Sequence, residues 1–319
     1  MDFQYATIGK PLLVIISDRS ELRDSSGSTL ALARAGIDQG HNVWFGELGS
    51  FSFRGETLEG RVYQITYSGG QFQPEDLLRE RRARLEEFFL VLLRAKQSNY
   101  HEEDLRVLGT SSVRFDNHPL EILRYCSKLS PLKYTSYTPE TFVSSSIKAI
   151  REYIQQSSKR EWILKPVDDF RGRGIHRTQG DVSFEQLQTI REDHGPYSVV
   201  QEYLPVTDVG DKRVLVVHGK PVAWGTRFPA EGRFLANHHA GGHYQATELS
   251  EEEKKIVRRV GKDLSKKGLN FAGVDFIAGK ITEINVGSIG SVVSLDQFFE
   301  FDLPTRILDE LIQNTNIQR

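Results

Sequence analysis

The run Pro11–Ser17 (PLLVIIS) limits the fold more than any other segment of the chain. A short β-branched apolar stretch ending in a polar turn reads as a parallel strand buried on both faces. Residues 18–28 are polar and contain Gly27, hence a loop. Thr29–Gln39 carries Leu30, Ala33 and Ile37 at helical spacing, and Gly40 stands where a helix C-cap glycine would. His41–Glu47 returns to strand character. Strand, loop, helix, glycine, strand is the opening of a βαβ unit, so an α/β fold with a parallel N-terminal sheet is expected. Phe88–Leu93 reads as a third strand and Ser111–Phe115 as a fourth. Between them Arg79–Glu87 (RERRARLEE) reads as a solvated helix face or loop, with phosphate binding as the other reading.

At 319 residues the chain suggests about two domains. Lys and Arg number 41 against 43 Asp and Glu, a net charge of −2, which argues against a broad basic face and hence against nucleic acid as a partner. A single cysteine, Cys126, rules out an intrachain disulfide and a Cys-rich zinc site, and fits a reducing cytoplasm. No apolar run approaches the ~18–20 residues a bilayer span needs, so no membrane partner is expected. Met1–Lys10 lacks the basic start and apolar segment of a secretory signal. No repeat or low-complexity segment is present.

A boundary is expected near Asn117–Pro119, dividing the chain into residues 1–118 and 119–319. The second part divides again into 119–200 and 201–319. A helical segment Leu120–Ser127 follows Pro119, and Thr138–Thr141 reads as a turn with a helix start. Glu161–Pro166 is a strand, followed by the loop Val167–Gly174 and a short strand Ile175–Arg177. Ser198–Leu204 is a strand running into a Pro205 turn. Asp211–Val217 and Pro221–Phe228 form a hairpin around His218-Gly219. Glu251–Lys267 is a long helix, and Phe271–Ala278 with Ile281–Val286 a second hairpin. The chain closes on an amphipathic helix around Pro304–Ile312, whose apolar face, if exposed, would permit a homo-oligomer. The second part is therefore expected to be α+β.

The final hairpin carries the clearest chemistry. Glu283 and Asn285 are two apart on one strand and share a face, and Asp275 on the paired strand can join them. Two carboxylates and an amide oxygen suit Mg²⁺ bound to nucleotide phosphates, which keeps few protein ligands. The same residues would also suit the solvated face of a sheet. Lys165 ends an apolar strand beside a loop containing Gly172 and Gly174, where it could reach a phosphate. Arg213 and Arg227 lie on strands with apolar neighbours, as surface residues or as clamps for a carboxylate or phosphate. The loop Asn237–His243 holds His238, His239 and His243 among glycines. It could close over a substrate, lie on the surface, or hold zinc.

The order of these elements is more specific than any one of them. Lys128, Trp-Ile-Leu-Lys165-Pro with its glycine loop, Gln201-Glu-Tyr-Leu204, Asp211-Lys-Arg213, Arg227, the Asn237–Gly242 loop and Gly-Val-Asp275…Glu283-Ile-Asn285 together resemble the ATP-grasp superfamily, most closely prokaryotic glutathione synthetases. The resemblance implies an N-terminal pre-ATP-grasp domain on the substrate side. It also implies an ATP-grasp domain whose 119–200 part bears a mobile lid and whose 201–319 part holds metal and phosphate. It implies that Lys128 and Lys165 hold the nucleotide phosphates, that Gln201, Glu202, Tyr203 and Leu204 form the adenine hinge, and that Asp211 lies near the ribose. Asp168, Arg171, Gly172 and Gly174 belong to the lid over the nucleotide. Arg213 and Arg227 act at the transferred phosphoryl and the acyl phosphate, together with Lys165. Asp275, Glu283 and Asn285 ligate Mg²⁺, with Mn²⁺ as a substitute. Asp24, Ser25 and Ser26, in a segment similar to the family's Lys-Asp-Ser-Ser, contact substrate, as do Asn237, Gly241, Gly242 and Ser288. A homo-oligomer is also implied.

The departures fall on the substrate side. Asp169 and Arg171 replace two lid glycines, and Gly287-Ser-Ile-Gly-Ser291 stands where the family has Thr-Ser-Pro-Thr. Ala95-Lys-Gln-Ser98 replaces the family's Lys-Asp-Pro-Pro. The expected activity is an ATP-dependent carboxylate–amine ligase that acts through an acyl phosphate on an amino acid or small peptide. The alternatives are glutathione synthesis itself, a nucleotide-binding relative without turnover, or an unrelated α/β interaction protein.

Overall fold

The computed structural model describes residues 12–23, 27–66, 77–95, 102–125, 127–159, 161–168, 174–180, 182–233, 236 and 242–317. The chain opens with β1 (Leu12–Ser17), α1 (Ser28–Asp38), β2 (Asn42–Arg54), β3 (Thr57–Ile65), β4 (Leu77–Arg84) and β5 (Leu90–Arg94). These strands form one sheet in the order β4-β3-β2-β1-β5. β1 pairs in parallel with β2 and with β5, and its Leu13, Val14, Ile15 and Ile16 are all buried. That two-sided burial is what the apolar run requires.

The antiparallel extension β3–β4 was not legible as strands. Arg79–Glu87 is neither a helix face nor a loop: it falls on edge strand β4 and the 3₁₀ turn Leu85–Glu87. Ala83 and Leu85 point inward, and Arg81 shares their face with its guanidinium 4.7 Å from the Trp44 ring centroid. An arginine whose charge is stacked on an aromatic ring fills an inward position that hydropathy alone would reject. Two further readings are corrected. Ser111–Phe115 is not a strand: only the bridge Val91↔Phe115 forms there. Thr138–Thr141 starts no helix, because Thr141 opens a strand and the next helix is capped by Ser146.

After α2 (Glu102–Gly109) and α3 (Pro119–Tyr125) come β6 (Thr141–Ser144), α4 (Ile147–Gln156), β7 (Glu161–Pro166), β8 (His176–Gln179), α5 (Phe184–His194) and β9 (Ser198–Glu202). Their sheet has the order β6-β9-β7-β8. Its core, with Trp162, Leu164, Ile150 and Val200, is drawn from this segment alone.

The last segment holds α6 (Val206–Val209), β10 (Asp211–Val217), β11 (Lys220–Phe228), β12 (His243–Gln245), α7 (Glu251–Ser265), β13 (Phe271–Ile277), β14 (Lys280–Asn285), α8 (Val292–Asp296) and α9 (Leu303–Ile317). Its sheet runs β12-β11-β10-β13-β14. Helix α7 starts with a capping box, Ser250 Oγ accepting from the Glu253 amide and Glu253 Oε2 from the Ser250 amide. The β10–β11 turn packs directly on this helix: a Cβ at Gly261 would lie 2.8 Å from the Gly219 carbonyl oxygen, so only glycine fits.

Two cores join this sheet to the first. One brings Val14 and Leu93 together with Val257, Val274 and Ile284, and the other Leu13 and Ile15 with Leu215, Phe271 and Leu308. The apolar face of α9 is accordingly not exposed. Leu303, Ile307, Leu308 and Leu311 are buried, and the helix packs on α1.

Candidate active site

The third sheet has two unlike faces. Lys212, Val214 and Val216 of β10 point toward α7, where Lys212 Nζ meets Glu253 Oε2 at 2.8 Å. Alternation sends Asp211, Arg213, Leu215 and Val217 to the other face. Leu215 and Val217 are core there, whereas Asp211 and Arg213 begin the strand and open the charged end of that face.

Register brings the charges together. Asp211 is opposite Arg227, Arg213 opposite Asp275, and Asp275 opposite Glu283. Arg213 grips Asp275 with two donors, Nε to Oδ1 and Nη2 to Oδ2, the latter at 2.7 Å. Arg227 Nη2 donates to Asp211 and lies 3.1 Å from Asp275 Oδ2. Asn285 Nδ2 reaches Asp275 Oδ2 at 3.4 Å. Two lysines add cations, Lys128 from the turn after α3 and Lys165 from β7 of the second sheet. Lys128 Nζ pairs with Glu283 Oε1 at 3.1 Å, and Lys165 Nζ donates to Gln201 Oε1 at 3.0 Å. The Lys128 amide also donates to the Val167 carbonyl, which ties this lysine to the strand end of β7.

Burial and mutual fields set the protonation states. Burial pulls Lys165 down to about 8, against the attraction of Glu283. Burial raises Glu283, but Lys128 and Lys165 outweigh it and hold the carboxyl well below its usual range. Burial lifts Asp211 to about 7 despite Arg227, and the neighbouring Asp275 charge adds to the rise. Burial lowers Arg213 and Arg227, yet Asp275 for the first and Asp211 for the second raise both above the ordinary guanidinium value. Asp211 Oδ1 and Arg227 Nε are buried without a partner, an acceptor and a donor held in reserve.

At the end of β9 the Glu202 and Tyr203 amides donate to the carbonyls of Glu140 and Glu161, and the Leu204 carbonyl accepts from Val206. Arg177 stacks 3.9 Å from the Tyr203 ring centroid. Asp168, the last described residue after β7, is exposed, and Gly174, where the described chain resumes, has φ at +65°.

Arg171, Gly172, Asp24, Ser25, Ser26, Asn237, Gly241, His238 and His239 lie outside the described residues. Gly242 is buried, and His243 is exposed with its ring 6.0 Å from that of Phe228. Ser288 Oγ donates to Glu21 Oε2 at 3.4 Å. Tyr244, which no motif in the sequence singles out, is the register partner of Arg227, and its hydroxyl donates to Ser291 Oγ at 2.5 Å. Its only signal was position in a three-residue strand.

The donor set suits magnesium held jointly with phosphate. Among the described residues no group of three or more His, Cys, Asp or Glu side chains forms a metal cage of its own. Asp275, Glu283 and the Asn285 amide are too few to complete an octahedron, which is how Mg²⁺ sits on nucleotides.

Residues 127–300 match the prokaryotic glutathione synthetase ATP-grasp domain. The chain belongs to the prokaryotic glutathione synthetase ATP-grasp family. It is similar over most of its length to the glutathione synthetase of Shewanella oneidensis, 28% identical over 306 residues covering 93% of this chain and 96% of that one. It is also similar to that of Escherichia coli O6:H1, 35% identical over 218 residues covering 67% of each. Two solved structures share the fold. D-cycloserine synthetase superposes with a TM-score of 0.63 at 15% identity, covering 95% of this chain and 99% of that one. D-alanine–D-alanine ligase from Bacillus anthracis superposes with a TM-score of 0.60 at 13% identity, covering 97% and 98%. This ATP-grasp protein is an enzyme, a ligase that forms amide bonds with ATP. Among the described residues no helix is long and apolar enough to cross a membrane.

Proposed function

We propose that this ligase joins a carboxylate to an amine through an acyl phosphate, with an amino acid or small peptide as substrate. The observation that carries the reading is the charge count of one cluster. Lys128, Lys165, Arg213 and Arg227 stand against Asp211, Asp275 and Glu283, leaving one positive charge in excess. A polyphosphate with a divalent ion suits such an array.

In the first step an oxygen of the substrate carboxylate attacks the γ-phosphorus, the bond to the bridging oxygen breaks, and ADP leaves. In the second the amine attacks the acyl carbon, inorganic phosphate leaves and the amine gives up a proton. Lys128 and Lys165 neutralise the nucleotide phosphates. Arg213 and Arg227 stabilise the transferred phosphoryl and the acyl phosphate, Arg227 through the Nε that has no protein partner. Asp275, Glu283 and Asn285 would hold the magnesium ion, which when bound neutralises charge on the phosphate oxygens. At the hinge the Glu202 and Tyr203 amides are engaged, so the Leu204 amide is the donor left for adenine. Asp211 stands at the catalytic cluster, closer in role to Arg227 than to a ribose. Asp168, Arg171, Gly172 and Gly174 form the lid that excludes water from the acyl phosphate. Residues 1–118 supply the substrate side, with Asp24, Ser25 and Ser26 as substrate contacts, and residues 119–319 add Asn237, Gly241, Gly242 and Ser288 to that role.

The test is ADP release with Mg-ATP, γ-glutamylcysteine and glycine, run beside a matrix of amino acids and dipeptides with product masses read out. An amide product from another pair is the expected result, because the departures fall on the substrate side. Product from the first pair would mean that these loops still build a glutathione site. Glu283→Gln should abolish turnover with any pair. Undiminished turnover in that variant would remove Glu283 from the metal site.

A further inference from the structure

The second sheet, like the third, has two unlike faces. Trp162, Leu164 and Val200 belong to its core. Alternation sends Glu161, Ile163 and Lys165 of β7 to the opposite face. Gln201 of β9 and Arg177 of β8 are both register partners of Ile163, and Thr141 of β6 is the partner of Gln201. One row thus crosses all four strands on the face that carries Lys165. Arg177 is its outer end, on the edge strand.

The Arg177 side chain closes a ring of contacts. Its Nη2 lies 2.7 Å from Glu161 Oε2, and its guanidinium carbon lies 3.9 Å from the Tyr203 ring centroid. Glu161 Oε1 accepts from Nε2 of Gln179, the next residue of β8 on that face. The Glu161 carbonyl in turn accepts from the Tyr203 amide at 3.0 Å. Tyr203 is therefore held at its backbone by β7 and at its ring by β8.

These contacts contribute little to the fold. The Arg177 and Glu161 side chains are 33% and 28% exposed, and an ion pair so open to water adds little stability. The ring of contacts fixes instead the direction of the next peptide. A peptide unit is planar and rigid, so the orientation of Tyr203 decides where the Leu204 amide points. That amide is the donor left for adenine once the Glu202 and Tyr203 amides are engaged. A planar guanidinium stacked on an aromatic ring is well suited to hold the ring in one place.

We infer that Arg177 is a positioning residue for the nucleotide: it holds Tyr203 against β7 and β8 so that the Leu204 amide meets the adenine ring. The inference rests on the reading of residues 201–204 as the adenine hinge. It makes β8, through Arg177, part of the nucleotide-binding apparatus without any contact to the nucleotide.

The test separates the base from the phosphates. The full chain is titrated calorimetrically with Mg-AMPPNP and, in parallel, with Mg-tripolyphosphate, which has no adenine. Arg177→Gln and Tyr203→Leu should each weaken Mg-AMPPNP by about threefold to tenfold and leave tripolyphosphate affinity unchanged. The double variant should bind Mg-AMPPNP no more weakly than the poorer single one, because the two changes remove the same contact. Tyr203→Phe keeps the ring and should bind as wild type does. The unfolding temperatures of Arg177→Gln and wild type should agree. The proposal is overturned if Arg177→Gln binds Mg-AMPPNP normally, if the two single losses multiply, or if Tyr203→Phe loses as much as Tyr203→Leu. An equal fall in tripolyphosphate affinity would also overturn it, by making Arg177 a direct contact of the phosphates. Wild type that binds tripolyphosphate as tightly as Mg-AMPPNP would remove the hinge reading itself, and the positioning role with it.

Discussion

Arg213 and Asp275 are directly opposite each other on neighbouring antiparallel strands and are joined by two hydrogen bonds while both are almost fully buried. Asp275 also lies 3.1 Å from Arg227 Nη2, so one carboxylate answers two guanidiniums. Removing the acid leaves two buried cations short of a counterion, and removing Arg213 leaves Arg227 to serve it. Loss of one partner of a buried pair costs about 3–5 kcal/mol. Asp275→Asn should therefore destabilise more than Arg213→Met, and both should depress turnover by at least about a hundredfold. Urea unfolding of the two variants orders them. The reverse order would mean that Asp275 does not hold both arginines.

Lys165 predicts the pH dependence of nucleotide binding. Burial brings its pKa down to about 8 in the free protein. Phosphate oxygens favour the charged lysine, so binding above pH 8 must take up a proton. Mg-AMPPNP affinity should be flat below that pH and fall toward tenfold per unit above it. Lys165→Met should bind more weakly and lose the alkaline fall. Calorimetry in buffers of different ionisation heat reads the proton uptake directly.

Asn117 ties together the start of β13 and the end of β14 in the third sheet. Its Nδ2 donates to the Phe271 carbonyl at 2.6 Å and the Val286 carbonyl at 2.7 Å, and its Oδ1 accepts from the Phe271 amide at 2.8 Å. The side chain has no exposure and so no water to replace these bonds. Asn117→Ala should cost about 2–4 kcal/mol by orphaning buried backbone groups. Asn117→Asp should cost more, because it sets a carboxylate against two carbonyl oxygens. Thermal unfolding of the pair tests the order.

How much of this was legible in the sequence depended on how each segment hides its polar atoms. β1, α1 and the hairpins β10–β11 and β13–β14 carry apolar runs or helical spacing bounded by glycines, and they were read close to their observed bounds, whereas β2 was read only to Glu47 and continues to Arg54 through residues that are mostly half-buried or exposed. β4 was missed because Arg81 occupies an inward position by stacking on Trp44. The carboxylates at Asp275 and Glu283 could be named from spacing, since period-two alternation fixes their face. Their partners could not, because the Lys128–Glu283 pair joins the turn after α3 to a strand 155 residues further along the chain. Arg177 gave no signal, because it lies in a short, mostly exposed strand and its partners Glu161 and Tyr203 come from β7 and from the end of β9.

Asp116 gives the last prediction, away from the catalytic cluster. Burial raises its pKa from about 3.8 to about 6, against the pull of the Leu93 amide, which donates to Oδ1 at 2.8 Å, and of Arg94. A carboxyl with a raised folded-state value binds its proton more tightly folded than unfolded. Its contribution is therefore fully present below about pH 3.8 and lost as pH rises through about 6. Two units correspond to about 3 kcal/mol, an upper bound for a group that can relax. Asp116→Asn keeps an acceptor for Leu93 and carries no charge at any pH. The difference in unfolding free energy, variant minus wild type, should rise between pH 4 and pH 6 and then level off. Taking the difference cancels the other carboxylates, such as Glu283, whose lowered pKa drives stability in the opposite direction. A difference independent of pH over that window would show that Asp116 titrates normally and that water reaches it in the folded protein.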